Sequence, residues 1–196
     1  MKTTKTQMLT ISSLAIVINV VLGMTVSGLK IPLLFLDTLG TIIIAAIFGP
    51  GYGMMVGFLT NFMTSVIGGS FSSLPFALVS IAIGLIVGLV AKKYKKFDYK
   101  TALMVGLVIS IVAPLIGTPI SILLFGGLTG GGTDLMVAAL LASGKEIFTA
   151  SFITRIASNL VDKIISCLIA SFVIEKYLKK RSTILSKTVK SEKKVA

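Results

Sequence analysis

The chain has 196 residues, 55% of them hydrophobic, a formal net charge of +12, no histidine and one cysteine. A mean hydropathy of +1.01 excludes an ordinary soluble domain, the missing histidine excludes Ser-His and Cys-His nucleophile pairs and the usual zinc sites, and a lone Cys167 excludes an intramolecular disulfide. The charge is no nucleic-acid face either, because it sits in clusters that flank apolar runs: Lys2 and Lys5, the stretch AKKYKKFDYK at residues 91–100, and the tail from Lys176 to Lys194.

Short loops that alternate between Lys-rich and Lys-poor mark a multispanning membrane protein and set its orientation. The fold expected is therefore an all-α membrane protein. The first span reads from Met8 to about Gly28; it is long enough to cross and lacks a small-residue cleavage site, so no cleavable signal peptide is expected. The loop LKIPLLFLD follows. The second span is short in its strongly apolar part, residues 38–48, and reaches a crossing length only if helix begins near Pro32. Gly49-Pro50-Gly51 is a turn signal. The third span runs from about Tyr52 to Ile67, GGSFSSLP is a polar loop, and the fourth span is Pro75 to Ala91, stopped by Lys92. The fifth is Thr101 to Phe125. GGLTGGGTD is a glycine-rich connection, and LMVAALLASG reads as a short helix capped by Thr133 or Asp134. The sixth span starts near Ile147 and runs toward Tyr177.

Six spans put all three lysine clusters on one side, which makes both termini cytoplasmic; five would not. Two units are expected: a six-helix transmembrane domain over residues 1–181, and a basic, disordered cytoplasmic tail over 182–196. The tail should also feel anionic lipid.

The densest polar set lies in the sixth span. Arg155, Ser158, Asn159, Asp162 and Ser166 fall at offsets 0, 3, 4, 7 and 11, which places them on one helical face. A charge at the bilayer centre costs about 2.5–3.5 kcal/mol on insertion scales, so the face must meet a partner helix or a wet cavity. Arg155 and Asn159 are candidate donors to a polar ligand. Asp162, deeper, is a candidate for the site or for an internal ion pair, and Lys163 is expected to snorkel toward the cytoplasm. In the fifth span, Pro114, Gly117 and Pro119 predict a bend, which either builds a substrate site or serves packing alone.

Asp37 either charges the start of the second span or lines an outward-facing site. Thr133 or Asp134 caps the short helix, and both, bordering the glycine-rich loop, are also candidate substrate-binding residues. Thr60 and Asn61 are expected to make interhelical hydrogen bonds, and the small residues of GPGYGMMVG and IAIGLIVG to let helices approach closely. No G-x-x-x-x-G-K-[ST] motif occurs and no metal-ligand cluster is visible, so no cofactor or catalytic residue is expected; an ion gradient or another subunit would supply the energy.

LDTLGTIIIAAIFGPGYGMMVGFLTN, with its Asp-Thr-Leu-Gly-Thr element, GP turn and Gly-rich third helix, resembles the substrate-binding S components of energy-coupling factor (ECF) transporters. FGGLTGGGTDLMVAALLASG and RIASNLVDK look like a subgroup of them. The resemblance covers roughly residues 10–178. It implies a six-helix protein of the bacterial cell membrane that binds a vitamin or precursor from outside, under its loops. It further implies docking on a transmembrane coupling protein and two ABC-type ATPases, and toppling in the membrane to deliver the ligand. The Ala-x-x-x-Ala docking element common on helix one is absent here: ISSLAIVINV offers Ser12, Ser13 and Ala15 instead. The reading is a binding and transport protein, not an enzyme. A self-sufficient secondary transporter of a small polar solute, with Asp162 as its coupling carboxylate, is the alternative.

Overall fold

The computed structural model describes the backbone of residues 4–195 and the side chains of residues 4–176. The expected disordered tail, 182–196, lies outside the described side chains. In chain order the elements are α1 (Lys5–Gly28), α2 (Leu39–Phe48), α3 (Pro50–Ile67), a 3-10 helix (Phe71–Phe76), α4 (Ala77–Tyr94), α5 (Tyr99–Phe125), α6 (Asp134–Ala142) and α7 (Ile147–Val195). No strand occurs among the described residues.

Among the described residues, four segments are long and apolar enough to cross a membrane: α1, the 3-10 helix with α4, α5, and α7 as far as Lys176. The expected second span is corrected. Helix does not begin near Pro32; residues 29–38 are non-helical, and α2 has 10 residues, about 15 Å of rise. α3 has 18 residues, but Thr60, Asn61, Thr64 and Ser65 dilute its apolar character. The expected fourth span, Pro75 to Ala91, lies within the apolar segment Phe71–Tyr94, with Pro75 in its opening 3-10 helix. α4 runs past Lys92, to a left-handed Lys95 at its C-cap. α5 is an uninterrupted helix despite Pro114 and Pro119.

The apolar core is a seam of Ile42, Ala45, Ile83, Val87, Val105, Ile109, Cys167 and Ala170, drawn from α2, α4, α5 and α7. Cys167 packs there as the small hydrophobe expected of it, fully buried. The most extensive pairings are α5 with α7 and α3 with α4. The second depends on glycine: a methyl group on Gly84 would lie 2.5 Å from the Gly53 carbonyl carbon, and one on Gly57 would lie 2.6 Å from the Ser80 carbonyl oxygen. Backbone meets backbone here, as small-residue membrane interfaces allow. The opposite faces carry exposed apolar side chains, among them Leu14, Val17 and Val21 on α1 and Leu103, Leu107 and Ile111 on α5. They suit lipid as solvent.

A buried polar knot fixes the start of α2. The Asn19 side chain of α1 donates to Thr41 Oγ1 at 3.0 Å and Thr60 Oγ1 at 3.1 Å, and accepts from Gly40 N at 2.6 Å. Three helices are tied by one amide with its polar atoms satisfied. At the other end of the bundle Asp98 caps α5. Its carboxylate accepts from the Thr101 amide and hydroxyl at 3.0 and 2.8 Å and pairs with Lys96; these bonds hold its carboxyl well below the usual carboxylate range.

Candidate functional site

Residues 29–38, the turn after α3 and the glycine-rich loop after α5 converge at one end of the bundle. A methyl group on Gly132 would lie 2.7 Å from the carbonyl oxygens of both Lys30 and Ile31, so only glycine lets the two loops close on each other.

The 29–38 segment has unusual backbone. Lys30, Leu33 and Leu36 all have positive φ, at 49°, 67° and 51°, where non-glycine residues are rare. Irregular backbone inside a membrane protein must find its hydrogen bonds within the protein. Asp162 supplies them: its Oδ1 accepts from both Phe35 N and Leu36 N at 2.9 Å. Its Oδ2 accepts from Lys163 Nζ at 2.6 Å. The carboxylate is fully buried.

Lys163 does not snorkel. It is 3% exposed, and its ammonium donates to Asp162, to Thr38 Oγ1 at 2.9 Å and to Asp37 Oδ1 at 3.4 Å. Three donors meet three acceptors, so the charge stays inside. Of the two readings left open for Asp162, its position matches the internal ion pair, with Lys163 rather than Arg155 as the partner.

The polar face of α7 exists as the offsets require. Ser158, Asn159, Asp162 and Ser166 are buried, while Ile153, Leu160, Ile165, Ile169 and Phe172 on the other side are 38–49% exposed. Arg155, half-buried, donates from a terminal nitrogen to Ser121 Oγ on α5 at 2.7 Å. Its guanidinium lies 5.8 Å from the Phe76 ring centroid, within cation–π range. Its Nε is buried without a hydrogen-bond partner. Asn159 turns its amide nitrogen back to the Arg155 carbonyl at 2.9 Å, which leaves its side-chain oxygen to face elsewhere.

Between α7 and the α3–α4–α5 wall lies a cavity of about 230 Å³. Arg155, Asn159, Lys163 and Asp37 line it on the polar side; Phe76, Val79, Ile83, Ala113 and Pro114 form its apolar side. A second chamber of about 500 Å³ opens beside it under the two loops and shares Phe35, Asp37, Asn61, Thr64 and Thr129 with the first. Pro114 and Gly117 thus border the first cavity without breaking their helix. A largely apolar pocket with a few convergent polar groups is the usual form of a small-molecule site.

Of the six residues singled out in the sequence, Arg155, Asn159 and Asp37 line the cavity. Asp162, Thr133 and Asp134 line neither chamber. The capping expectation for Thr133 and Asp134 needs correction. Thr133 occupies the N-cap of α6 but makes no side-chain cap bond. The Asp134 carboxylate instead accepts from Thr129 N at 3.1 Å and Gly130 N at 2.6 Å, which shapes the loop that carries Thr129 to the chambers. Asp37 does not cap α2; Thr38 holds that position. Asn61 makes the interhelical bond expected of it, to Ser80 Oγ at 2.7 Å, and lines both chambers as well.

Sequence reasoning missed Lys163, Phe76 and Ser73 as cavity residues. For Lys163 a signal existed, since it adjoins a carboxylate that must itself be neutralised. For Ser73 there was none, because GGSFSSLP reads as loop, and Phe76, at the start of the expected fourth span, is one apolar residue among many.

A family model described as ECF transporter, substrate-specific component, matches residues 7–174. No curated protein and no solved structure matches the chain.

Proposed function

The chain belongs to the family of substrate-specific components of ECF transporters, and on that footing we propose that it is the high-affinity binding subunit for a vitamin or vitamin precursor. It is a multi-pass membrane protein and a substrate-specific transport subunit. In the reading proposed, the ligand enters under the loops 29–38 and 126–133 and rests between α7 and α5. It meets Arg155, Asn159 and Asp37 there, while Thr133 and Asp134 shape the loop above it. The observation that carries this is Arg155: a half-buried guanidinium, anchored through one nitrogen, with a buried Nε that has no protein acceptor.

The topology proposed has both termini and the Lys92–Lys100 stretch in the cytoplasm. α2 and the segment before it count together as one crossing and α3 as another. The positive-inside pattern supports this. With Cys167 replaced, a single cysteine at position 95 should stay unlabelled by an impermeant thiol reagent in intact cells and react after permeabilisation. Labelling from outside would reverse the orientation.

Uptake in this reading needs a coupling protein and two ABC-type ATPases, since the chain carries no phosphate-binding loop of its own. Purified with a tag from its native cells, the chain should bring down ATPase subunits and retain a small molecule that mass spectrometry can identify. ATP-independent, gradient-driven accumulation by the chain alone in liposomes would favour a secondary transporter instead. No geometry supports that second reading, because the carboxylate it needs, Asp162, is committed to two amides and an ammonium.

A further inference from the structure

The hydrogen bonds left unfilled around the cavity restrict the class of ligand. Resting on the binding role just proposed, we infer that the ligand is dipolar: an anionic or acceptor group at Arg155, a cationic or donor group at Asp37, and an apolar stretch between them.

Three charged side chains line the cavity, Arg155, Lys163 and Asp37, with Asp162 behind Lys163; of these four, Lys163 and Asp162 are already paired within the protein. Lys163 spends its three protons on Asp162, Thr38 and Asp37. Asp162 spends its oxygens on two backbone amides and that same lysine. The other two are incomplete. Arg155 forms no ion pair among the described residues; Asp134 acts on it only through space, and the Asp134 oxygens are taken by Thr129 N and Gly130 N. The buried Arg155 Nε–H therefore has no acceptor among the described residues, and a ligand carboxylate at the guanidinium could bridge it with the nitrogen beside it.

Asp37 is the counterpart. Its one contact is the longer, 3.4 Å arm of the Lys163 cluster, through Oδ1, and its side chain is 45% exposed. Lys163 is held closer by Asp162, at 2.6 Å, so Asp37 is the looser partner and its Oδ2 has no hydrogen bond among the described residues. It stands where the two chambers meet. A purely anionic ligand would satisfy Arg155 and crowd Asp37 with like charge. A purely cationic one would do the reverse. A ligand carrying both satisfies each end.

The separation of the ends follows from the helix. Arg155 and Lys163 are eight residues apart on α7, about 12 Å of rise, and Asp37 sits against the Lys163 ammonium. Phe76, Val79, Ile83 and Ala113 line the space between. The two polar groups of the ligand are thus separated by an apolar stretch and do not share one carbon.

The test uses the full chain in detergent and the ω-amino acids from 4-aminobutanoate to 8-aminooctanoate, each beside the alkanoate and alkylamine of the same length. A ligand that binds only the folded state raises the unfolding temperature. The expected result is a shift of several degrees with at least one ω-amino acid at millimolar concentration, and less than half of it with either single-charge analogue. Asp37→Asn should abolish the preference for the amine-bearing compound over the alkanoate, and Arg155→Gln should abolish the shift. An alkanoate or alkylamine that stabilises the unaltered chain as well as the ω-amino acid overturns the dipolar class. Where no probe shifts the transition, the compound retained through purification decides. A retained compound with both an acid and a basic or donor end, at least four bonds apart, supports the inference. A singly charged or uncharged one overturns the class and leaves the binding role standing. No retained compound and no shift from any probe overturns both.

Discussion

Replacing Asp162 by alanine is expected to cost about 3–5 kcal/mol, the usual penalty for removing one partner of a buried ion pair. Over a chain of this length that is a fall in melting temperature of roughly 6–20 °C. Three groups lose their partner at once. The Lys163 ammonium keeps only Thr38 and the more distant Asp37, and the amides of Phe35 and Leu36 lose the oxygen that both donate to. Those amides belong to the segment with left-handed Leu33 and Leu36, so the loop that forms the chamber walls should loosen as well. Thermal unfolding of the purified chain in detergent reads the effect. Asp162→Asn keeps an acceptor for the amides but not the charge, and should fall between. Adding Lys163→Met to Asp162→Ala removes the stranded cation and should recover part of the loss, although the amides stay unpaired. Equal melting temperatures for Asp162→Ala and the unaltered chain would mean that the carboxylate is no structural keystone. The proton-coupling role set aside above would then reopen.

What the sequence made legible and what it hid divide along one physical line. The polar face of α7 could be read because its members recur at helical offsets within a dozen residues, and an apolar solvent forbids exposing them. The GP turn, the close α3–α4 packing and the start of α7 at Ile147 are equally local. The partners of that face were not legible. Lys163 reads as a snorkelling lysine until residues 29–38 fold back against it, and Asp37 and Thr38 lie 126 and 125 positions away. The same fold-back explains the error at α2. A crossing made of regular helix had to begin near Pro32 to be long enough. The chain instead runs without regular helix from residue 29 to 38, and a distant side chain, Asp162, accepts hydrogen bonds from that backbone. Each proline of α5 removes one backbone donor, yet the helix runs unbroken from Tyr99 to Phe125, and the stretch that carries Pro114 and Gly117 borders the cavity.

Arg155→Lys is expected to weaken the ligand retained through purification by roughly 10- to 150-fold, equivalent to about 1.5–3 kcal/mol for a charge-assisted hydrogen bond. Lysine keeps the positive charge, so electrostatic attraction alone cannot account for the loss. What disappears is the planar fork, which lets one nitrogen stay on Ser121 Oγ while Nε remains free to donate, and the flat face that lies over Phe76. A lysine that reaches Ser121 has no second rigid donor to place. Asn159→Ala should cost less, about 1 kcal/mol or roughly fivefold, because the amide nitrogen is already spent on the Arg155 carbonyl and only the oxygen remains for a ligand. Calorimetry on both variants, each first shown to melt within a few degrees of the unaltered chain, separates binding from folding. The ratio of the two effects is the informative quantity. A large loss with Arg155→Lys and a small one with Asn159→Ala fits a ligand acceptor held by the guanidinium. Comparable losses would shift the acceptor one turn further along α7. Undiminished affinity in both would leave the polar face as scaffold, and the ligand would then belong to the second chamber, under the loops, where Asp37, Asn61, Thr64 and Thr129 are among the polar lining residues.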